Sequence, residues 1–561
     1  MNMSILDLVK AQIDKENETE ILYIDGIDYL HPEYKRYYDR WQKIRDVIEG
    51  QEAVKDTSVR ERYLPRLSGH TQTLEGQQSY EAFVGYAELY NATGRTVDAY
   101  RGLLNRKLPS VTVPDALDYV LDDFTIKGES IYTFIEQLEV ELITTNRVGI
   151  FVDYPYVDPD SKLSKADMAR MNMNPYATMY PAESIINWEE TRINNKIVTS
   201  LVVLKEVDYV RLTSMMPMEQ ITYRVLELDE NGFYRQVIIH PEYLNTPSGN
   251  SRVQGSRYIV KGTVYPKQNG QYMRYIPFFP VTAQGVTWNM SKSVIEDLVN
   301  VNIAHYRDTA FHQKAIAWTA SPTAVFSGLP DDVPSVSIGS EDAILIAIGG
   351  TAKYLEYEGK GLEDIANALH SKENQMAILG AKILANTAGK AESGEAALIH
   401  RAGEQGILAD IATTVGVAME KALGIIAAWK GLKPVKGEIK IEINKDFNPG
   451  VMDANTILAL GKELDEGRIS YESYMYALQR GEILPPERTP DEEKRLISER
   501  FKGTAISKET LVKYLDKKDI NSILGRDDAV MDKKHKSTEP NMDTSNDDSA
   551  DSDDAEEDME E

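Results

Sequence analysis

The chain of 561 residues contains no cysteine. This absence excludes disulfides, thiolate nucleophiles, iron–sulfur clusters and cysteine-ligated zinc. It is consistent with a reducing compartment. Thiol chemistry therefore takes no part in the function of this protein.

Long apolar runs are also missing from the sequence. No run approaches the ~20 residues of a membrane span, and residues 343–348 form one of the longest. Residues 1–20 have neither the basic stretch nor the apolar stretch of a signal peptide. We therefore expect no signal peptide, and no membrane among the partners.

The sequence lacks the short motifs of nucleotide and hydrolase chemistry. It has no G-x-x-x-x-G-K-[ST] phosphate loop, no G-x-G-x-x-G after a predicted strand, no G-x-S-x-G elbow and no H-E-x-x-H zinc motif. We therefore predict that the chain is not an enzyme and uses no cofactor or metal ion.

Acidic side chains suggest one alternative, a hydrolase that works through carboxylates. Asp153 ends a predicted buried strand, where active-site acids are often found, and adjacent carboxylates occur at Asp122 and Asp123 and at Asp331 and Asp332. Paired aspartates are also common on solvated turns, and Asp153 can cap the turn that follows it. We favour these structural roles and keep the hydrolase as the less favoured function.

Two further groups of residues have a possible functional role. His305 and His312 are seven residues apart on a predicted helix, so they share a face and are compatible with a shared metal ion. Aromatic residues that can stack on bases lie near the N-terminus; they are Tyr34, Tyr37, Tyr38 and Trp41. For both groups we favour ordinary helix packing.

Basic residues are too few to balance the acidic ones, and the net charge is −27. Residues 541–561 contain eleven acids and no lysine or arginine, and the rest of the chain still has a net charge of −16. An acidic surface repels phosphate backbones, which argues against a sequence-reading DNA-binding protein. A protein that surrounds DNA without gripping it remains compatible with this charge.

The segment 526–561 is predicted to be disordered, because it has too few apolar residues to offset its chain entropy. Two roles fit its acidity equally well. It can bind a basic partner, or it can keep the protein soluble.

The apolar pattern predicts an α+β fold. Residues 31–109 and 115–145 have helical periodicity, and residues 146–155 have the composition of a buried strand. Residues 175–285 contain β-rich runs separated by Asn-Asn and Asn-Gly pairs, which predicts antiparallel hairpins.

Helices are predicted again in the second half of the chain. One begins near residue 291, with Ser293 and Glu296 at the spacing of a capping box. A second covers residues 361–384, a strand follows at 436–447, and short helices lie between 453 and 525.

The most regular pattern belongs to a long helix that ends at residue 429. Its apolar residues are spaced by three and four, so they form one face about 30 Å long. These residues are Leu408, Ile411, Val415, Ala418, Ala422, Ile425 and Trp429. Two of the seven, Ala418 and Ala422, are small and allow other backbones to approach closely. We therefore predict that this helix is architectural.

Eight matching pieces, in order along the chain, point to a known family. They are residues 41–50 (WQKIRDVIEG), 63–66 (YLPR), 90–109 (YNATGRTVDAYRGLLNRKLP), 147–155 (RVGIFVDYP), 275–280 (YIPFFP), 302–307 (NIAHYR), 395–404 (EAALIHRAGE), and 464–470 with 480–484 (LDEGRIS, RGEIL). Together they resemble the portal proteins of tailed bacteriophages, in a phage and prophage subgroup long catalogued as a domain of unknown function. Asn146 stands where a glycine is expected, and asparagine tolerates positive φ.

The resemblance implies a portal fold with these parts: an N-terminal arm over 1–30, a wing over 31–287 that is first helical and then β, a stem helix over 288–316, a clip over 317–360, a second stem helix over 361–385, a tunnel loop over 386–395, a spine helix and strand of the wing over 396–450, a helical crown over 451–525, and a disordered acidic tail over 526–561.

The resemblance also implies a function. Portal proteins form a twelve-subunit ring at one capsid vertex of the virion, are assembled in the bacterial cytoplasm, and conduct the genome during packaging and ejection. The implied partners are further copies of the chain, double-stranded DNA bound without sequence specificity, the large terminase subunit, head-tail adaptor or neck proteins, and the major capsid protein. The terminase, not the portal, hydrolyses ATP. Another head or neck protein, such as an adaptor or minor head protein, is the alternative within the same class.

Residues of the tunnel loop are expected to face the DNA channel. They are Asn386, Thr387, Lys390, Glu392 and Ser393. Lys390 is the basic residue of this group and can touch a phosphate, although a solvated loop lysine is the more common role.

Overall fold

The structure is a computed structural model that describes residues 23–24, 26–155, 165–213, 215–241, 258–320, 323–327, 348–355, 361–380, 394–445, 447, 452, 454–481, 483–485 and 488–501. Helices and antiparallel sheets are mixed, which confirms the predicted α+β class. The chain divides into two compact units, Met1–Phe447 and Asn448–Glu561.

Ten helices lie within the described part of the first unit. They are α1 (Pro32–Glu49), α2 (Gln51–Lys55), α3 (Arg60–Tyr63), α4 (Leu74–Tyr86), α5 (Ala92–Leu104), α6 (Ile131–Thr144), α7 (Lys165–Arg170), α8 (Glu296–Ala320), α9 (Leu362–Leu379) and α10 (Gly394–Trp429), with 3-10 turns at Asp115–Leu121 and Ala182–Ser184.

Side chains that accept hydrogen bonds from the first turn begin several of these helices. Thr73 caps α4, Asn91 caps α5 and Ser130 caps α6. The cap at Ser130 also explains why residues 115–145 do not form one continuous helix: a 3-10 turn ends at Leu121, and α6 begins only after Ser130.

The strands are β1 (Tyr23–Ile24), β2 (Ser110–Thr112), β3 (Val148–Asp153), β4 (Tyr176–Pro181), β5 (Ile185–Ile193), β6 (Lys196–Thr213), β7 (Met216–Leu228), β8 (Tyr234–Pro241), β9 (Tyr258–Val264), β10 (Lys267–Gln268), β11 (Gln271–Tyr272), β12 (Phe278–Val281), β13 (Thr323–Ser327), β14 (Thr351–Leu355) and β15 (Lys440–Glu442). The largest sheet has the order β1-β9-β8-β7-β6-β5, and a three-stranded sheet has the order β12-β3-β4. All of these pairings are antiparallel.

The predicted hairpin turns form where the sequence can adopt positive φ. Asn194 and Asn195 have φ of 48° and 67° and join β5 to β6, as a two-residue hairpin turn requires. Asn269 and Gly270 have φ of 52° and 79° and join β10 to β11.

This second turn was predicted to join two β-rich runs, residues 258–265 and 272–281, into one hairpin, and these two runs do not pair with each other. The two-residue strands β10 and β11 pair with each other, whereas β9 pairs with β8 and β12 pairs with β3. The turn chemistry is local, but the partners of β9 and β12 are fixed by burial in two different sheets. The strand predicted over 436–447 is also shorter, because only β15 pairs, with β2.

Two hydrophobic cores lie in the first unit. One joins α4, α5, α6, β3, α8 and α10, and the other lies beside the six-stranded sheet. Helix α1 contributes to both, with Ile44 and Val47 in the first core and Tyr34 and Trp41 in the second. Tyr34 and Trp41 are therefore in core packing, as favoured from the sequence, and Tyr37 is partly buried against the second core. Tyr38 is exposed, so the expectation of core packing does not hold for it.

Asn146 links α6 to the segment before α8. Its φ is 54°, its amide nitrogen donates to Ser291 Oγ at 2.7 Å, and its amide oxygen accepts from the backbone N of Ala283 at 2.7 Å. The asparagine thus supplies both the left-handed backbone and the bonds of a buried junction.

We expect Asn146→Ala to lower the free energy of unfolding by about 2–3 kcal/mol, since it removes buried hydrogen bonds and leaves a strained φ. Asn146→Gly restores the backbone conformation without the bonds and should be less damaging. Urea unfolding of both variants measures the difference, and an unchanged Asn146→Ala variant would contradict the assigned role.

The second unit contains α11 (Ala454–Asp465), α12 (Tyr471–Arg480) and α13 (Pro490–Phe501). The predicted start of α13 is confirmed, because Thr489 Oγ1 accepts from the backbone N of Glu492 at 3.2 Å and Pro490 is the first helical residue. Gly481 ends α12 as predicted, with φ of −77° and not in the left-handed region. Residues 502–561, including the predicted acidic tail, lie outside the described residues.

Candidate functional site: the helical hairpin and the spine helix

The first half of α8 is anchored to α1 by polar contacts. The guanidinium of Arg40 donates to both carboxylate oxygens of Glu296, at 2.8 and 2.5 Å, and Lys43 Nζ donates to Asn300 Oδ1 at 2.7 Å. Glu296 therefore binds α1 and does not close the predicted capping box. Ser293 Oγ instead accepts from the backbone N of Ile295 at 3.2 Å.

Further along α8, two side chains bind the segments around α3 and α5. Asn302 accepts from the backbone N and the hydroxyl of Thr93, at 3.2 and 2.8 Å, and donates to the carbonyl of Tyr90 at 2.8 Å. Arg307 Nε donates to the carbonyl of Tyr63 at 2.6 Å.

These anchors were not assigned roles from the sequence, although a signal was present. Asn302 and Arg307 lie within the piece 302–307, and Tyr90 and Thr93 lie within the piece 90–109. The structure joins these two pieces directly. Side chains that bind across about 200 residues of sequence leave no spacing pattern, so only their joint occurrence pointed to a link.

The apolar stripe predicted for α8 is buried. It comprises Ile295, Val299, Ile303, Tyr306 and Ala310. Beyond Ala310 the helix changes character: Phe311, Ile316 and Trp318 are exposed, and Trp318 has 58% of its surface exposed. Helix α8 thus has a buried, anchored half and an exposed apolar end.

Helix α9 packs on α8 and completes a helical hairpin. Lys372 pairs with Asp308 of α8 at 2.5 Å, and Leu369 and Met376 are buried. Ile378 and Leu379 at the end of α9 are exposed. The hairpin therefore has apolar residues available at its surface on both helices.

A small antiparallel ribbon follows α8 and precedes α9. It pairs β13 with β14, from Thr323 opposite Leu355 to Ser327 opposite Thr351. Asp331 and Asp332, between these strands, lie outside the described residues.

His305 is buried at the interface of α8 and α9. Its Nε2 lies 3.5 Å from Glu373 Oε1, at the outer limit of a hydrogen bond, and burial lowers the pKa of its imidazole. His312 is partly exposed seven residues later. Among the residues that the structure describes, no group of three or more His, Cys, Asp or Glu side chains can hold a metal ion.

Helix α10 lies in the first core. Of the seven residues of its predicted stripe, Leu408, Ile411, Val415, Ala418 and Ala422 are buried, and Ile425 and Trp429 are partly buried. The buried face is wider than predicted, because Ala412, Met419, Leu423, Ile426 and Ala427 are buried as well. At Gly416 another backbone segment approaches α10 closely, since a Cβ at this position would lie 3.1 Å from the carbonyl oxygen of Ile441.

The segment Gly406–Trp429 is long and apolar enough to cross a membrane by length and composition alone. The segment contains Asp410, Glu420 and Lys421, so it is not an uninterrupted apolar run. Most of this segment is buried within the first unit, as in the core helix of a globular domain.

The loop predicted before α10 lies mostly outside the described residues. This applies to all five candidate channel residues, namely Asn386, Thr387, Lys390, Glu392 and Ser393. The helix begins at Gly394, so residues 394–395 of the predicted loop are helical.

The candidate carboxylates do not come together. Asp122 is exposed, and Asp123 Oδ2 accepts from Asn172 Nδ2 at 2.8 Å on a surface turn. Asp153 lies apart from them, at the end of β3, with 8% of its surface exposed.

A cavity of about 740 Å³ opens at Asp153. Asp153 Oδ1 accepts from its neighbour's backbone N (Tyr154) at 2.9 Å and from Gln236 Nε2 at 3.0 Å. Burial raises the pKa of Asp153 to about 6. Aromatic residues dominate the walls; they are Tyr154, Tyr176, Tyr265, Tyr272 and Trp429.

One of the two basic residues that line this cavity, Arg224, is paired with a carboxylate. Arg224 donates to Glu206 Oε1 at 2.7 Å and to Glu206 Oε2 at 3.3 Å, and Tyr180 donates to the same carboxylate at 2.5 Å. Arg224 and Gln236 come from neighbouring strands of the large sheet, and no sequence spacing linked them to Asp153.

Comparisons with known proteins add a partial match. Residues 294–430, which span α8, β13, β14, α9 and α10, match a family described as a domain of unknown function (DUF4055). No curated protein matches the chain significantly.

Similar chains occur in solved structures of gene transfer agent (GTA) particles. A chain in the neck of the native particle, computed with C12 symmetry, is 10% identical with a TM-score of 0.33, over 69% of this chain and 89% of that one. A chain of the native virion has 10% identity and a TM-score of 0.32 over the same shares. A chain in the neck of the empty particle, computed with C6 symmetry, has 12% identity and a TM-score of 0.30 over 72% and 89%. TM-scores this low do not establish a shared fold.

Proposed function

We propose that this protein is a structural component of the head or neck of a tailed phage or phage-like particle, and specifically its portal. In this proposal, copies of the chain form a ring at one capsid vertex, and the genome passes through the ring during packaging and ejection. The observation that supports the proposal most is the α8–α9 hairpin, because its helix α8 is anchored in its first half and exposes apolar residues near its end.

A ring subunit needs two different surfaces that bind each other, one on each side. Exposed apolar residues that cluster on one element typically mark such interaction surfaces. Phe311, Ile316 and Trp318 near the end of α8 meet this description. Ile378 and Leu379 of α9 lie at the opposite, anchored end of the hairpin, where Gly380 approaches Leu298. The polar contacts of Glu296, Asn302 and Arg307 with α1 and with the segments around α3 and α5 fix the hairpin to the body of the subunit. A force on the hairpin would therefore be transmitted to the wing.

The proposed parts follow the order of the elements. The wing comprises α1 to β12 together with α10 and β15, the stem comprises α8 and α9, and the clip contains β13 and β14. The crown contains the helices of the second unit, α11 to α13, and the tunnel loop keeps its predicted range of 386–395. The proposed stem helix is extended from residue 316 to Ala320, the end of α8; the other domain boundaries are those predicted from the sequence.

The negative charge supports a conduit and not a DNA grip. A channel that moves DNA must avoid many phosphate contacts, because each contact releases counterions and adds affinity. A chain with a net charge of −27 repels the duplex and leaves it free to slide. The proposed partners are the terminase motor and then adaptor or neck proteins at the clip, and the capsid protein around the wing.

Another head or neck protein, such as an adaptor or minor head protein, is the alternative of the same class, and a hydrolase based on Asp153 is the candidate with the least support. The neighbouring carboxylate Glu206 is paired with Arg224 and Tyr180, so it is not free to act as a second catalytic group. Asp122 and Asp123 lie on a surface turn and not in this cavity.

Electron microscopy of the purified full-length protein tests the proposal directly, and rings with a central hole are the expected result. Trp318→Glu should raise the concentration needed for ring formation by at least about 30-fold, since an interface hot spot contributes roughly 2 kcal/mol or more. Sedimentation velocity measures the shift, and circular dichroism should show that the monomer remains folded.

Met171→Glu is the matched control, because Met171 is exposed to 61% but lies outside the hairpin. This variant should assemble normally. Monodisperse monomers of the unmodified protein at high concentration, or hydrolytic turnover that disappears in Asp153→Asn, would reject the portal.

A further inference from the structure

Asp153 is the one carboxylate among the described residues that line its cavity, and one of its oxygens accepts no hydrogen bond from them. Oδ1 receives both hydrogen bonds, from the backbone N of Tyr154 and from Gln236, and Oδ2 accepts none from the described residues. The residue is more than nine-tenths buried and lines the cavity. Oδ2 is therefore open to the cavity, where a cation or a hydrogen-bond donor can join it.

No side chain of the described cavity supplies that cation. The positive charge of Arg224 is close enough to lower the pKa of Asp153, but its guanidinium is bound to both oxygens of Glu206. Lys267 lines the cavity too, yet it is exposed and sits over the ring of Tyr272 at 4.7 Å. Lys267 is not among the charges that act on Asp153.

The walls of the cavity also favour an organic cation. Tyr154 is stacked on Trp429 with ring centroids 5.6 Å apart, and Tyr176 faces the same space. Aromatic faces attract cations most strongly where water is excluded.

We propose that this cavity binds a primary alkylammonium group, with Asp153 as its counter-ion and Tyr154, Tyr176 and Trp429 as its aromatic walls. The site is independent of the proposed portal function, because it uses neither the hairpin nor a second copy of the chain.

The single free oxygen selects ammonium over guanidinium. A guanidinium binds a carboxylate best through two parallel hydrogen bonds that use both oxygens. Oδ1 of Asp153 is already saturated, so a guanidinium can form only one of these bonds. An ammonium is a compact point charge and needs only Oδ2 and the surrounding ring faces.

The same geometry makes binding dependent on pH. The pKa of Asp153 is raised to about 6 by burial, so the ligand must displace a proton below that pH. Affinity should be constant above pH 7 and fall about tenfold per pH unit below pH 6.

Calorimetric titration of the full-length protein with n-butylammonium tests the site, with n-butanol as the uncharged probe of equal shape. We expect saturable binding of the amine, none of the alcohol, and at least tenfold weaker binding of the amine to Asp153→Asn. Asp123→Asn is the matched control on the surface and should bind as the unmodified protein does.

Two outcomes overturn the proposal: equal binding of the amine by Asp153→Asn and the unmodified protein, or equal binding of n-butylammonium and n-butanol by the unmodified protein. The comparison of amine with alcohol needs no variant, so it decides the matter even if Asp153→Asn fails to fold. Putrescine and a capped Gly-Lys-Gly peptide separate the two sources of the ammonium group. Tighter binding of putrescine indicates a free diamine, and tighter binding of the peptide indicates a lysine of a partner protein.

Discussion

Replacing Ile411 with aspartate is expected to abolish folding of the first unit. Ile411 is 0% exposed and lies in the core that α10 shares with α6 and β3. The change removes a buried isoleucine, which costs about 3 kcal/mol, and adds a buried carboxylate without a partner, which costs several kcal/mol more. The sum is comparable to the roughly 5–15 kcal/mol that stabilises a typical domain. Soluble yield and circular dichroism measure the loss.

Val417→Asp is the matched control for this prediction. Val417 lies on the same helix, is also β-branched, and is exposed to 54%. Its replacement should change the free energy of unfolding by no more than about 1 kcal/mol. A soluble, folded Ile411→Asp variant would show that α10 is not a core helix.

The second large effect is expected from Glu139, which lies fully buried in α6. Asn105 Nδ2 donates to its Oε2 at 2.8 Å, while its Oε1 has no partner. Burial raises the pKa of Glu139 from 4.5 to about 8, and the neighbouring Glu136 adds to this effect. The carboxyl is therefore neutral in the folded protein at pH 7 and ionised in the unfolded chain.

The sign of the pH dependence follows from this difference. Between pH 4.5 and 8 the folded state holds one proton more than the unfolded state, so stability falls as the pH rises through this window. Above pH 8 both states are ionised and the effect is complete. Glu139→Gln cannot ionise, so it should remove this loss, which is on the order of 4 kcal/mol.

Urea unfolding at pH 5 and pH 8 measures this effect. Between pH 5 and pH 8 the unmodified protein should lose free energy of unfolding, and Glu139→Gln should not show this loss. The reason is that the glutamine side chain has no charge to bury. Glu230→Gln in the exposed β7–β8 turn is the control and should leave the pH dependence unchanged. Parallel pH profiles for the unmodified protein and Glu139→Gln would show that Glu139 is already ionised in the folded state.

The sequence predicted features that depend on neighbours along the chain. Asn194 and Asn195 form the predicted hairpin turn, because asparagine tolerates positive φ wherever it occurs. Thr489 begins α13 for a similar reason, since its hydroxyl reaches an N–H only three residues away. The residues of the α10 stripe share one face because helix geometry alone sets their spacing.

Residues far apart in the sequence were brought together only by the tertiary structure. Glu296 pairs with Arg40 of α1. Strand β12 pairs with β3 and not with β9, the longer strand that precedes it in the sequence. Gln236 donates a hydrogen bond to Asp153, and Arg224 lines the same cavity. Capping-box spacing was present at Ser293 and Glu296, yet the competing partner on α1 prevailed, because a guanidinium binds a carboxylate more strongly than a backbone N–H does.

The amino-acid sequence by itself determined the α+β class, the turns, the helix starts and the acidic charge, since each depends on local geometry or on composition. Only the tertiary structure decided which carboxylates are buried, which of their oxygens have partners, and where α8 passes from core to surface. The physical reason is that desolvation and long-range pairing depend on what surrounds a side chain in space, and neighbours in sequence do not specify that surrounding.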